Sequence, residues 1–144
     1  MKTVVVDASV AAKWFLPSNE ESLTSEAARL LDMFVETQIR FIEPDLFWAE
    51  LANIFWKAVR QHRWRRESAQ TALKAMLERD FPTVPSRSLL EQAHAIASEF
   101  DRSVYDSLYV ALALRVQGEL ITADERLANA LAAHLPVKWL GAVG

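Results

Sequence analysis

The sequence has 144 residues, 51% of them apolar and 24% charged, which predicts a single globular domain over residues 1–144. It contains no cysteine and only three glycines, all after residue 117, which excludes disulfides, thiolate metal sites and glycine-rich phosphate loops. The 19 acidic and 16 basic residues give a formal net charge of −3, which by itself argues against a nucleic-acid partner.

Hydrophobic periodicity and helix-breaking residues predict strands that alternate with helices along the chain. The predicted strands are residues 3–6, 40–42, 81–84, 119–122 and 137–140. The predicted helices are residues 10–16, 19–37, 45–62, 66–79, 88–99, 103–117 and 124–133. Pro82 places the third strand at a sheet edge. This alternation predicts an α/β domain with a parallel sheet and right-handed crossovers.

The N-terminal segment has some features of a signal peptide, because Lys2 precedes an apolar run. Asp7 and Lys13 interrupt that run, and no small-residue cleavage site follows. No stretch reaches the roughly 20 apolar residues that cross a bilayer, so we expect no membrane association. With no cysteine as well, the cytoplasm is the expected compartment.

Two acids follow predicted strands, where ligands of parallel sheets usually bind. Asp7 comes after the first strand and Asp124 after the fourth. Both also fit helix N-caps, and Thr122 with Glu125 fits a capping box. The sequence leaves the capping and ligand-binding interpretations open for both acids.

Two further acids lie on helix faces that we expect to point inward. Glu50 stands between Leu46 and Ile54 in an apolar stripe, where a carboxylate is costly unless it is paired, bound to metal or at the rim. Asp106 lies in the first turn of the most apolar helix, where Ser103 offers a capping alternative. Four converging acids would need a cation, and oxygen ligands favour Mg²⁺ or Mn²⁺. Ions held in this way commonly serve phosphodiester hydrolysis.

Four segments resemble those of PIN-domain ribonucleases, most closely the VapC-type toxins of bacterial and archaeal toxin–antitoxin pairs. They are Val4-Val5-Val6-Asp7-Ala8-Ser9, Pro44-Asp45-Leu46 through Glu50-Leu51-Ala52-Asn53, Val104-Tyr105-Asp106-Ser107-Leu108-Tyr109-Val110-Ala111-Leu112-Ala113, and Leu120-Ile121-Thr122-Ala123-Asp124. The resemblance covers nearly the whole chain in order and spacing. Ser107, where many relatives carry Ala, is a small departure.

The resemblance implies a three-layer α/β/α fold with five parallel strands in the order 3-2-1-4-5. Its acidic quartet maps onto Asp7, Glu50, Asp106 and Asp124, with supporting roles for Ser9, Asn53 and Thr122. Together with metal chemistry it implies Mg²⁺- or Mn²⁺-dependent RNA hydrolysis that leaves a 5′-phosphate and a 3′-hydroxyl. Asp7, Asp106 and Asp124 would hold the ion, and Glu50 would share that task or position the attacking water. The ion would offset part of the negative charge, so the acidic balance does not exclude an RNA partner.

The resemblance also implies two protein partners, namely a second copy in a homodimer and an antitoxin whose peptide arm lies in an apolar groove. We expect Trp14, Phe15 and some of Trp48 and Trp56 near such surfaces, although core packing is an equally good explanation for each of them. The segment 57–66 holds five Lys or Arg residues. It fits an RNA-phosphate contact or, more simply, a solvated helix end.

The sequence can also be compared with three alternatives from other functional classes of protein. A phospho-receiver domain needs paired acids after its first strand and a lysine after its last, but Asp7 is single and no suitable lysine follows Leu140. A phosphatase with an Asp-x-Asp nucleophile needs a second aspartate where Ser9 stands. A non-catalytic PIN-like scaffold is disfavoured by the complete quartet.

Overall fold

The computed structural model describes the backbone of residues 1–144 and every side chain except that of Glu20. The strands are β1 (Lys2–Val6), β2 (Ile39–Phe41), β3 (Glu43–Pro44), β4 (Thr83–Val84), β5 (Glu119–Thr122) and β6 (Val137–Trp139). The helices are α1 (Ala8–Ala12), α2 (Thr24–Val35), α3 (Leu46–Arg60), α4 (Arg66–Leu77), α5 (Leu90–Phe100), α6 (Val104–Arg115) and α7 (Glu125–Leu131). Short 3-10 helices occur at Ser18–Glu20, Ser86–Leu89 and Leu140–Ala142. Of the described residues, none belongs to a helix that is both long and apolar enough to cross a bilayer.

The central sheet has four parallel strands in the order β2-β1-β5-β6. Its middle strands are apolar runs, and Val4, Val5 and Val6 are all buried. Such runs are typical of parallel strands that are covered by helices on both faces. The predicted α/β class with a parallel sheet is therefore confirmed, and β1 and β5 are neighbours as the strand order requires.

The predicted strand count is wrong, because the second strand divides after Ile42. The amide of Ile42 still donates to Val4 O of β1 (3.2 Å), whereas the amide of Glu43 donates to Pro82 O (3.0 Å). β3 and β4 consequently form a separate two-stranded parallel sheet. Pro44 and Pro82 have no amide hydrogen to donate, which keeps this second ladder short. The four strands of the central sheet keep their predicted relative order, but the predicted third strand, which corresponds to β4, pairs with β3 outside that sheet.

The helix predicted over residues 19–37 is shorter, since α2 spans Thr24–Val35. Leu23 adopts a left-handed backbone with φ of 58°, which separates α2 from the preceding 3-10 turn. Thr37, with φ of 59°, lies beyond the other end. Apolar periodicity predicts the helix but does not report these left-handed residues.

α6 is the most deeply buried of the helices that carry predicted site residues. Its residues 107–113 are buried, and it packs against β1, β3 and β5. α3 packs against α1 and α4 and approaches β3. The first turn of α6 and the first half of α3 thereby face the carboxyl ends of β1 and β5.

Candidate active site

Asp7 and Asp124 follow neighbouring strands, so the sheet brings them to one edge. Asp7 comes directly after β1, and its amide donates to Ile121 O of β5 (3.3 Å). Thr122, the last residue of β5, is buried, and its hydroxyl donates to Asp7 Oδ2. The same Thr122 oxygen accepts from the Asp124 amide at 3.0 Å. Thr122 therefore links the two acids that follow the strands.

Asp7 is both the N-cap of α1 and a member of the site. Its Oδ1 accepts from the amides of Ser9 (3.0 Å) and Val10 (3.3 Å) and from the Ser9 hydroxyl. Burial raises the pKa of Asp7 above its ordinary value, although these hydrogen bonds and that of Thr122 oppose the shift. The charge of Asp106 raises the pKa of Asp7 further. The capping interpretation is confirmed for Asp7, and the ligand-binding interpretation stays a prediction that this capping role does not exclude.

Asp124 and Asp106 also lie at the N-terminal ends of helices. Asp124 is the N-cap of α7, where its Oδ1 accepts from the Leu127 amide (3.1 Å). Asp106 is in the first turn of α6, which Ser103 caps by accepting from the Asp106 amide at 3.0 Å. The Asp106 carboxylate takes no part in this cap. Burial raises the pKa of Asp106, and the charge of Asp124 adds to that rise.

Glu50 is held by a tyrosine of another helix. The hydroxyl of Tyr109, which is 2% exposed on α6, donates to Glu50 Oε1 on α3. Burial raises the pKa of Glu50, the Tyr109 hydrogen bond lowers it, and the charges of Asp7 and Asp106 raise it again. Burial and the Glu50 charge raise the pKa of Tyr109 in turn, so its hydroxyl keeps its proton and stays a donor.

All four acids line one cavity of about 490 Å³, which we call the acidic cavity. Ser9 and Asn53 line it too, whereas Thr122 lies buried behind Asp7. The remaining lining residues are Ala8, Leu46, Ala49, Ile54, Tyr105 and Tyr109. Among the described side chains, no three acids stand close enough to hold an ion as they are. After burial, a neighbouring acid is a further cause that raises the pKa of Asp7, Glu50 and Asp106.

Glu43 is a fifth acid near the site that the sequence analysis missed. It is fully buried, and its Oε1 accepts from the Val6 amide at 2.8 Å. Its Oε2 has no hydrogen-bond partner among the described residues. Burial raises the pKa of Glu43 well above its ordinary value, and the charge of Asp7 contributes. Its sequence signal is the same as that of Asp7, an acid immediately after a strand.

A model of the PIN domain matches residues 4–131, which is most of the chain. The chain belongs to the PIN domain family. This confirms the family predicted from the four sequence segments. The matched range includes all four acids of the quartet, residues 4–6 of β1 and the whole of β5.

Known relatives agree with this PIN-domain assignment. The chain is 33% identical over 129 residues to Ribonuclease VapC3 of Pyrobaculum aerophilum, covering 88% of this chain and 92% of that protein. The crystal structure of PAE2754 from Pyrobaculum aerophilum matches with a TM-score of 0.69 at 21% identity, covering 97% of this chain and 85% of the other. A toxin–antitoxin complex from Klebsiella pneumoniae matches with a TM-score of 0.58 at 19% identity, covering 94% and 95%. At these identities the two structures show a shared fold.

The bond between Tyr109 and Glu50 in this PIN domain can be tested by removing one hydroxyl. In Tyr109→Phe, the pKa of Glu50 is expected to rise further, because the hydrogen bond that lowers it is lost. The loss of this partly buried bond should cost about 1 kcal/mol of unfolding free energy. Carboxyl-carbon NMR titration of Glu50 and urea unfolding measure the two effects.

Tyr105→Phe is the matched control, since Tyr105 is exposed one turn earlier on α6 and should leave the Glu50 titration unchanged. If Glu50 titrates identically in Tyr109→Phe and in the unsubstituted protein, the hydrogen bond from Tyr109 to Glu50 is contradicted.

Proposed function

We propose that this PIN domain is a divalent-metal-dependent endoribonuclease of the VapC type. The observation that carries the proposal is the convergence of Asp7, Glu50, Asp106 and Asp124 on one cavity. The sequence similarity to Ribonuclease VapC3 supports RNA as the substrate. Hydrolysis of RNA phosphodiester bonds is the chemistry that this donor set serves best.

The chemistry of the donor set fits Mg²⁺ or Mn²⁺. The quartet supplies carboxylate oxygens, and the sequence has no cysteine that would favour a softer ion. Burial and mutual charge raise the pKa of Asp7, Glu50 and Asp106, so their ionised forms are costly without a cation. A divalent ion removes that cost, which gives these acids a strong reason to bind one.

Each residue has a separate task in the proposed mechanism. Asp7, Asp106 and Asp124 would hold the ion, which would supply charge compensation for the phosphate and a bound water of lowered pKa. Glu50 shares that task or positions the water, and Tyr109 fixes the orientation of its carboxylate. Ser9 and Thr122 hold Asp7, and Asn53 lines the acidic cavity. Hydrolysis in which the water oxygen bonds to phosphorus, the P–O3′ bond breaks and the leaving O3′ takes up a proton would give a 5′-phosphate and a 3′-hydroxyl.

Metal removal tests this function directly. Cleavage of single-stranded RNA is expected to stop in excess chelator and to return on addition of Mg²⁺ or Mn²⁺, because the uncompensated quartet repels the phosphate. Products should be degraded by an exonuclease that requires a 5′-phosphate. Full cleavage in excess chelator would overturn the metal mechanism. No cleavage of any RNA with either ion would favour a non-catalytic scaffold.

We also propose an antitoxin partner and a homodimer for this chain. The similar Klebsiella pneumoniae structure is a toxin–antitoxin complex, which supports the first. Two grooves outside the acidic cavity offer apolar surface for such partners. Phe15 and Trp64 line one of them, and Trp56, 55% exposed with Arg60 over its ring at 5.4 Å, lines the other. Trp14 and Trp48 are only partly buried. The indole of Trp14 donates a hydrogen bond to Ala27 O, and the indole of Trp48 donates one to Thr83 Oγ1.

A further inference from the structure

Tyr105 is exposed on a helix that is otherwise largely buried. Residues 107–113 of α6 are buried, and Tyr109, one turn later, is 2% exposed. Tyr105 is 63% exposed, although an aromatic ring is a large apolar surface to leave in water. Among the large hydrophobic side chains that are exposed in the described residues, it is the one that lines the acidic cavity. Its exposure therefore coincides with the place where a substrate would lie.

The acidic cavity is lined by apolar side chains as well as acids. Leu46, Ala49 and Ile54 come from α3, and Tyr105 comes from the first turn of α6. Tyr105 directly precedes Asp106, a proposed ion ligand. A phosphate bound at the acids would bring an attached nucleoside beside this ring. The cavity consequently offers carboxylates for the ion and an aromatic face for a base.

We propose that Tyr105 is a stacking platform for the RNA base next to the cleaved phosphate. This inference rests on the proposed ribonuclease function and names a residue that binds the substrate at the same site. Bases inside a duplex are stacked on both faces, whereas unpaired bases can be splayed out onto an aromatic side chain. Every base has a π-face, so the platform favours unpaired strands without specifying their sequence.

Removal of the ring should weaken substrate binding more than it slows the chemical step. In Tyr105→Ala, KM for a fluorescein-labelled unpaired oligoribonucleotide is expected to rise roughly 5- to 150-fold, the range for stacking of one base. The value of kcat should change far less, because the acids remain. Tyr105→Phe keeps the ring and should keep KM. An equal loss in Tyr105→Phe would assign the effect to the hydroxyl and overturn the stacking role.

A second measurement separates stacking from a general loss of apolar surface. An abasic ribose placed beside the cleaved bond should lower kcat/KM for the unsubstituted protein, and far less for Tyr105→Ala, since the two changes remove the same contact. Leu77→Ala is the matched control, because Leu77 is 54% exposed at the end of α4 and does not line the acidic cavity. It should respond to the abasic ribose as the unsubstituted protein does. Equal abasic penalties in all three proteins would overturn the inference.

Failure of the inference and failure of the proposed function give different results. Cleavage of RNA by the unsubstituted protein, with unchanged KM in Tyr105→Ala, overturns the stacking role and leaves the ribonuclease function standing. Absence of cleavage by the unsubstituted protein with Mg²⁺ and with Mn²⁺ overturns the function and the inference together. Faster cleavage of duplex than of unpaired RNA of the same sequence also overturns the inference.

Discussion

Asp7→Asn is expected to abolish RNA cleavage while the fold remains intact. Asp7 is the acid at the centre of the hydrogen-bond network, and asparagine keeps an oxygen for the Ser9 and Val10 amides while it loses the charge that binds an ion. Loss of a residue that merely supports a metal ligand costs about 10- to 100-fold, so loss of a proposed ligand should cost at least about 100-fold in cleavage rate. Initial rates with saturating Mg²⁺ measure this effect.

Thermal unfolding gives a test of Asp7 that does not depend on activity. Because burial raises the pKa of Asp7, its charge is costly in the metal-free fold, and Asp7→Asn should be at least as stable in chelator. Mg²⁺ should raise the Tm of the unsubstituted protein, since a ligand that binds only the folded state stabilises it. The variant should show little of that rise.

Asp80→Asn is the matched control for Asp7→Asn. It makes the same chemical change at an exposed residue outside the acidic cavity, where asparagine tolerates the left-handed backbone. Cleavage and the Mg²⁺-induced rise in Tm should both remain. Full cleavage by Asp7→Asn would contradict the metal-nuclease mechanism.

The proximity of the four acids could be predicted because it depends on regular elements. Asp7 and Asp124 follow strands that lie side by side in the predicted order, and Glu50 interrupts an apolar helical stripe. Strand order and helical periodicity are properties of long segments, which apolar patterns report well. The family resemblance then gave the acids a common role.

The remaining features depend on contacts between distant segments. The hydrogen bond from Tyr109 to Glu50 requires a particular approach of α6 to α3, and the two residues are 59 positions apart in the sequence. The division of the second strand depends on whether Glu43 pairs with β1 or with the segment around Pro82, and the sequence pattern is compatible with both. The left-handed Leu23 carries no sequence signal, because leucine is unusual in that conformation.

Glu43 takes the place of a backbone hydrogen-bond acceptor at the point where the second strand leaves β1. The last backbone hydrogen bond between this segment and β1 runs from the Ile42 amide to Val4 O. Two residues further along β1, the Val6 amide donates to the Glu43 carboxyl instead. Val6 directly precedes Asp7, so this bond secures the end of the strand that carries the proposed ion ligand. The requirement is for an acceptor oxygen, and nothing in the contact needs a negative charge.

We therefore expect Glu43→Gln to stabilise the metal-free protein at neutral pH. Glutamine keeps an acceptor for the Val6 amide and removes a carboxyl whose pKa is raised well above its ordinary value by burial and by Asp7. The gain should be on the order of 1–3 kcal/mol, the typical cost of a buried polar group that is poorly satisfied. Glu43→Leu should instead lower stability, because it leaves the buried Val6 amide without its acceptor.

The pH dependence gives the sharpest test of Glu43. Its folded pKa lies above its unfolded pKa, so its contribution to stability is fully present below the unfolded pKa and is lost as pH rises through the folded pKa. The stability advantage of Glu43→Gln should therefore be small near pH 4.5 and grow as pH increases. Urea unfolding of both proteins in chelator from about pH 5 to pH 8 measures this difference, and the contributions of acids that do not interact with Glu43 cancel. An advantage that shrinks with rising pH would show that the Glu43 carboxylate is stabilised by a positive partner, contrary to its buried position beside Asp7.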